Sequence, residues 1–258
     1  MVTEAYLKDV ETDLPAVVEA LTCVGPRNPY VVIRVSEGAR LNREEWFDVL
    51  ATMCGWQPDL RQVNYDHELA REVWWEITND SRKSDAYTYS TTAQPLHNDN
   101  AWFKDPAHIN FFVMERQAKI GGEQVLLTND QLREKLEAKN PSLLSDLLTT
   151  QVQISKGSHT EPNRTTILRN DENPAIAWNF YRTHRDVPAV AALVDKFFEF
   201  LNEMVELEEV ERVRLNDGDC IAMLDGSMLH GRTAFKVERP GERLLLQSMW
   251  FRSSSEGN

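Results

Sequence analysis

From residue 84 onward, short stretches rich in β-branched and aromatic residues alternate with turn-forming pairs. This rhythm restricts the fold more than any other feature of the chain. "DAYTYSTT", "AHINFFVME" and "EQVLLT" read as strands, as do "VQIS", "TTILR" and "AIAWNFY" further on. The C-terminal run continues the pattern, with "ERVRL", the turn "NDGD", "CIAML", the turn "DG", "SMLHGRTAF" and "RLLLQSMWF". Many short strands with turn signals between them predict a sandwich or barrel. Two helical inserts interrupt the series. One is "NDQLREKLEAKNPSLLSDLLTT", broken near Pro141, and the other is the long amphipathic "VPAVAALVDKFFEFLNEMVELEEV". A doubly wound α/β sheet fits less well, because helices do not alternate regularly with strands.

The first 83 residues read as mainly helical and are expected to pack on one face of that core. "TDLPAVVEALTCV" and "LNREEWFDVLATMCGW" carry helical spacing, the second with Asn42 and Glu45 as a capping pair. "DHELAREVWWEI" reads as a further helix, and "PYVVIRV" as a strand. The expected organisation is therefore one domain over 1–258. It is α+β and mainly β, with the helical part at 1–83, the core at 84–252, and helical inserts near 129–149 and 187–208. The final "RSSSEGN" reads as a frayed tail.

The formal charge of −13 repels phosphate backbones and anionic lipid, so no nucleic acid and no membrane surface is expected as a partner. A small-molecule substrate is the expected partner, and oligomeric state is not specified by the sequence. Cys23, Cys54 and Cys220 form no CxxC pair and read as reduced thiols of a cytoplasmic protein. The start "MVTEAYLKDVETDL" lacks an apolar signal core, and no apolar run approaches a membrane span.

The chemistry-bearing residues are histidines. In "QPLHNDNAWF", His97 and Asp99 stand two apart, and on an extended segment both side chains point the same way. With six histidines and 41 acidic residues in 258, about one such HxD/E pair arises by chance, so the bare motif is weak. The chain has three: His97/Asp99, His159/Glu161 and His184/Asp186. A facial iron site needs two histidines and one carboxylate, with open positions for other ligands. His230 in "LDGSMLHGRTAF" is the best remaining histidine, 230 − 97 = 133 residues on. Arg243 follows it by 243 − 230 = 13 residues, expected on the adjacent antiparallel strand, where its fork could grip a carboxylate. The rival His184 leaves too few residues for strands before His230. His159 sits in the loop-like "KGSHTEPNR".

The ordered series "LHND", "GGEQVLLTND", "DGSMLHGRTAF" and "RLLLQSMW" resembles the taurine dioxygenase and clavaminate synthase-like superfamily of Fe(II)/2-oxoglutarate oxygenases, over roughly residues 85 to 252. The resemblance implies a double-stranded β-helix, or jelly roll. It implies that His97, Asp99 and His230 bind Fe(II) and that 2-oxoglutarate chelates the iron. The far carboxylate of 2-oxoglutarate would pair with Arg243. O2 is then the second co-substrate, succinate and carbon dioxide are released, and a C–H bond is hydroxylated, with desaturation or cyclisation as variants. A carboxylate at position 99 favours oxygenation over halogenation, since related halogenases lack it.

Two positions depart from the family pattern. Gln124 stands where the family usually has Thr or Ser beside the co-substrate. Gln247 stands where taurine dioxygenase-like members place a second arginine, so sulfonate substrates are not expected. Candidate substrate contacts are Asn98, Trp102, Tyr181, Arg182 and Gln247, with Arg182 suited to a carboxylate. An amino acid or specialised-metabolite precursor is the substrate class that family analogy implies. Two other readings compete with it: a non-redox metal-binding jelly roll such as an isomerase or hydrolase, and a non-catalytic sensor of 2-oxoglutarate or metal.

Overall fold

The computed structural model of the chain describes residues 3–61, 71–80, 87–156, 161–170 and 175–252. Two sheets face each other as a jelly roll. The major sheet runs, in spatial order, Glu4–Leu7, Tyr30–Val35, Cys220–Leu224, Ile109–Arg116, Leu244–Arg252 and Trp56–Pro58, and Trp75–Thr78 also pairs with Leu244–Arg252. The minor sheet runs Glu211–Val213, Gln124–Thr128, Met228–Arg232 and Gln94–His97. Pairing in both is antiparallel except between the first two strands of the major sheet.

Strand alternation divides the apolar residues into three layers. Ile221, Met223, Phe112, Met114, Leu126, Met228 and Leu245 point between the sheets and form the barrel interior. Their neighbours Cys220, Ala222, Phe111, Val113, Leu244 and Leu246 point outward, against the N-terminal helices Val10–Thr22 and Arg43–Asp48. On the minor sheet, Val125, Leu127 and Leu229 point outward into a cluster covered by the helices Asn129–Lys139, Pro141–Thr149 and Pro188–Glu206. The last of these buries Leu193, Val194, Phe197, Phe200, Leu201 and Met204, a spacing of one, three and four that keeps a single apolar stripe on the sheet.

Local signals account for most element ends. Asn42 and Glu45 form a reciprocal capping box, as the sequence predicts. Thr128 and Gln131 form another. Asn140 leaves helical geometry and caps the next helix, with Pro141 in its first turn, which produces the expected break.

Several expectations are corrected. The first 83 residues do more than cover the core with helices: they also contribute four strands to the major sheet, including Glu4–Leu7, which carried no strand signal strong enough to read. The helix expected over 66–77 overlaps Trp75–Thr78, which is a strand because it lies in register with Leu244–Gln247; residues 62–70 lie outside the described residues. Tyr87–Tyr89, expected as a strand, is a 3-10 turn. "AIAWNFY" makes only an isolated bridge, Leu168 to Ile176, because the backbone of Trp178 pairs with Asn98 instead of a strand.

Candidate active site

Two adjacent strands of the minor sheet bring the histidines together. His230 lies directly opposite His97 in the register of Met228–Arg232 against Gln94–His97, and their ring centroids are 4.5 Å apart. Gly231 permits this approach, since a Cβ there would meet the carbonyl oxygen of Gln94 at 2.6 Å. The alternation that sends Leu229 outward sends His230 into the barrel interior.

Asp99 does not reach the histidines by strand alternation. The strand ends at His97, and Asp99 lies in the following turn. Buried Asp225 accepts the backbone N–H groups of Asp99 and Asn100 at 3.1 and 3.2 Å, which fixes that turn. Asp99 Oδ1 then lies 3.2 Å from His97 Nε2, and Oδ2 lies 3.1 Å from His230 Nε2. His97 Nδ1 sits 2.9 Å from the Pro95 carbonyl. A carbonyl can only accept, so Nδ1 carries a proton and Nε2 is the nitrogen turned to the centre.

Among the described residues, His97, Asp99 and His230 are the one group of three with its ligand atoms gathered, all within 4.8 Å of one another. The electrostatics fit a cation site. Burial raises the Asp99 carboxyl, but the charges and hydrogen bonds of His230 and His97 overcome that and hold it well below its usual range. Burial also opposes charge on His97, and Asp99 outweighs it to give a net upward shift. Asp225 is pushed up to about 6, by burial first and by the Asp99 charge second.

The barrel also holds an unsatisfied guanidinium. Arg243 is fully buried, and among the described residues its three guanidinium nitrogens have no hydrogen-bond partner. Burial, with repulsion from Arg232 and Arg214, lowers it to about 9, so it remains a cation at neutral pH. Its guanidinium carbon lies 5.0 Å from the Phe235 ring centroid. Gly122, at φ +79°, makes room for it: a Cβ there would stand 3.0 Å from Arg243 Nε. A buried cation with empty donors is costly unless an anion completes it. The expectation that Arg243 lies on the strand next to His230 is corrected: it immediately precedes Leu244–Arg252 of the major sheet, whereas His230 stands on the minor sheet.

Asp99 and His230 open on a cavity whose polar lining also includes Gln94, Gln124, Arg232 and Gln247, with Phe112 and Leu245 as apolar walls. Gln124 lies in register with Arg232. Arg232 is itself a tether, donating from Nη2 to the carbonyls of Ser90 and Thr92 at 2.9 Å.

The remaining candidates separate. Asn98 does not line the cavity at Asp99 and His230: it is 1% exposed, its amide donates to the carbonyls of Asp225 and Met228, and its Oδ1 accepts from Trp178 N–H. Trp102 is 6% exposed and belongs to the core beneath the helices. Gln247 donates to Asp99 at 2.6 Å. Tyr181 is 58% exposed and pairs its hydroxyl with that of Tyr87 at 2.7 Å. Arg182 is partly buried, and its backbone follows Tyr181 along the segment that bridges Ile154 through Thr183. His184 is held by Ser155 Oγ at 2.7 Å and joins no ligand group; His159 lies outside the described residues.

Sequence reading missed Lys156. Its Nζ sits 4.7 Å over the Trp102 ring, and it feels the charges of both Arg182 and Asp99. Burial first, then Arg182, lowers it to about 8. No sequence pattern marks it, because its proximity to Arg182 comes from pairing between Gln151–Ile154 and the segment near Thr183.

Comparison with known proteins agrees with this architecture. Human gamma-butyrobetaine dioxygenase is 22% identical over 175 residues, which is 63% of this chain and 45% of that protein; the match thus spans less than half the length of the relative. Asparagine oxygenase, solved with Fe(II), (2S,3S)-3-hydroxyasparagine and succinate, superposes with a TM-score of 0.67 at 14% identity, covering 93% of this chain and 78% of that one. The non-heme iron oxygenase OrfP, solved with Fe and α-ketoglutaric acid, gives 0.65 at 13% identity and covers 98% and 95%. Those likenesses carry the fold. Residues 40–250 match the family described as taurine catabolism dioxygenase TauD, TfdA, and the chain belongs to that family.

Proposed function

We propose that this chain is an Fe(II)- and 2-oxoglutarate-dependent oxygenase that hydroxylates a C–H bond of a small, polar, carboxylate-bearing molecule. The observation that carries the reading is the presence of a gathered His–Asp–His group and a buried guanidinium without a partner among the described residues in one TauD/TfdA family member. His97, Asp99 and His230 would hold the iron, and Arg243 would take the far carboxylate of 2-oxoglutarate. Bound there with O2, the iron and 2-oxoglutarate supply an oxidative decarboxylation to succinate and carbon dioxide that activates the substrate C–H bond for attack. The chain's own part is to orient and to exclude water. The Pro95 carbonyl fixes the His97 tautomer, Asp225 fixes the Asp99 turn, and Gly122 keeps the guanidinium slot open. Gln124, lining the cavity, offers an amide where the family pattern has a hydroxyl.

Arg182, with Lys156 beside it, supports a substrate carboxylate on the Asp99 side of the centre. The solved relatives carry hydroxylated asparagine and, in OrfP, (3S)-hydroxy-L-arginine, which makes free amino acids the first class to try. Gln247 is neutral and engaged with Asp99, which argues against a sulfonate. The strands that residues 4–78 add to the major sheet support reading 1–258 as one catalytic domain. The three cysteines are free thiols, which supports a cytoplasmic setting; among the described residues no helix is long and apolar enough to cross a membrane.

The test is an anaerobic Fe(II) titration with 2-oxoglutarate, followed by O2 and a succinate assay across amino acids. A weak charge-transfer band that needs both iron and 2-oxoglutarate, and substrate-stimulated succinate release, are expected. Metal binding indifferent to 2-oxoglutarate would point to a non-redox protein. A band without succinate would point to a sensor.

A further inference from the structure

Asp99 is bonded on both oxygens, but not equally. Oδ1 meets His97 Nε2. Oδ2 meets His230 Nε2 and also accepts two amide N–H groups: Gln247 Nε2 at 2.6 Å and, in a short contact, Asn110 Nδ2. The two amides are joined to each other, since Gln247 Nε2 also donates to Asn110 Oδ1 at 3.0 Å. Asn110 is wholly buried and Gln247 is 8% exposed. They stand on neighbouring central strands of the major sheet, where Met249 pairs with Asn110 and Gln247 with Phe112. The carboxylate arises from a turn of the minor-sheet side, whereas its two amide donors belong to the opposite sheet.

We propose that Asn110 and Gln247 are positioning residues that tie Oδ2 of Asp99 to the major sheet and leave Oδ1 as the one oxygen offered to the metal. A carboxylate on a turn can rotate about two side-chain bonds and can chelate through both oxygens. Two N–H donors fixed on a sheet remove that freedom and occupy the lone pairs of Oδ2. One oxygen and two imidazoles then leave three positions of an octahedral ion for a chelating keto acid and O2. A neutral amide does this without the full charge of an arginine at position 247, which would form an ion pair with the ligand carboxylate and weaken it as a donor. Gln247 thereby serves the metal rather than the substrate. This rests on the iron-binding reading above.

The test measures metal affinity without turnover. Co(II) or Fe(II) is titrated anaerobically into the parent, Gln247→Met, which keeps length and loses the donor, and Gln247→Asn, which keeps an amide but shortens it. Affinity is expected to fall roughly 10–100-fold in Gln247→Met, with a smaller loss in Gln247→Asn and an altered Co(II) visible spectrum in both. Circular dichroism monitors the fold, and if Gln247→Met does not fold, Gln247→Asn alone decides. Parent-like affinity and spectrum in the folded variants, with only the substrate KM changed, would overturn the proposal and make Gln247 a substrate contact. A parent that shows no charge-transfer band with iron and 2-oxoglutarate would overturn the oxygenase reading instead, whatever the variants do.

Discussion

The surroundings of Asp99 and of Arg243 are built on opposite principles. Around Asp99 the protein satisfies the carboxylate: Asn110 and Gln247 donate to it, both imidazoles lie against it, Asp225 holds its backbone N–H, and Asn98 ties the neighbouring turn to Trp178, Asp225 and Met228, which leaves His230 Nδ1 as the one imidazole nitrogen there without a partner among the described residues. Around Arg243 it leaves three buried nitrogens without partners among the described residues and keeps the space open with a glycine. The first region is preorganised and contributes to stability. The second holds a charge whose burial is offset only when an anion arrives. A site of this kind keeps its metal geometry rigid and lets co-substrate binding supply the missing interactions.

Substitutions in the two regions should therefore behave differently. The largest effect is expected from His97→Ala or His230→Ala: no measurable succinate release and loss of the charge-transfer band, because two ligands cannot hold the ion in place. Arg243→Leu comes next. Losing a buried charge-assisted pair costs about 3 kcal/mol, or roughly a 100-fold rise in the 2-oxoglutarate KM. Metal affinity measured by titration should stay near parental. The apo-protein should melt no lower than the parent and show no further stabilisation by 2-oxoglutarate, since an unpaired buried charge has been removed. An apo-protein destabilised by this change would break the comparison.

Asn98→Ala should do the reverse, lowering unfolding free energy by about 2–3 kcal/mol in denaturant titration, because it strands the buried N–H of Trp178 and two carbonyls. Lys156 offers a pH test. Its amine is lowered to about 8, so it is a cation below that pH and neutral above it. The KM for a carboxylate substrate should rise as pH passes about 8, and Lys156→Arg should move that rise to higher pH. The smallest effect is expected from His184→Ala. It removes one hydrogen bond to Ser155 at the protein's surface, should change stability by no more than about 0.5–1 kcal/mol, and should leave iron affinity unaltered.

Legibility in the sequence followed the range of the interactions involved. Central strands such as Ile109–Arg116, Cys220–Leu224 and Leu244–Arg252 were readable because their burial on both faces produces continuous apolar runs. The capping box at Asn42 and the break at Pro141 were readable because they are local. Edge strands were not. Glu4–Leu7 and Trp75–Thr78 are strands only because a partner strand supplies their hydrogen bonds, and "VWWEI" carries spacing equally compatible with a helix. The convergence of His97, Asp99 and His230 was foreseen on an argument only half correct: the two histidines meet by strand register, but Asp99 is turned in by Asp225, whose side chain is 126 residues away in the chain.

By itself the sequence determined the kind of chemistry and the class of fold, because the capacity to ligate a metal or to grip a carboxylate is set by residue type, and strand rhythm by periodicity. Tertiary structure alone decided what the neutral polar residues do. Asn98, Asn110, Gln247 and Lys156 could each have faced a substrate. An amide or ammonium acquires a role only from the partner that distant strands bring within about 3 Å, and no spacing along the chain encodes that distance.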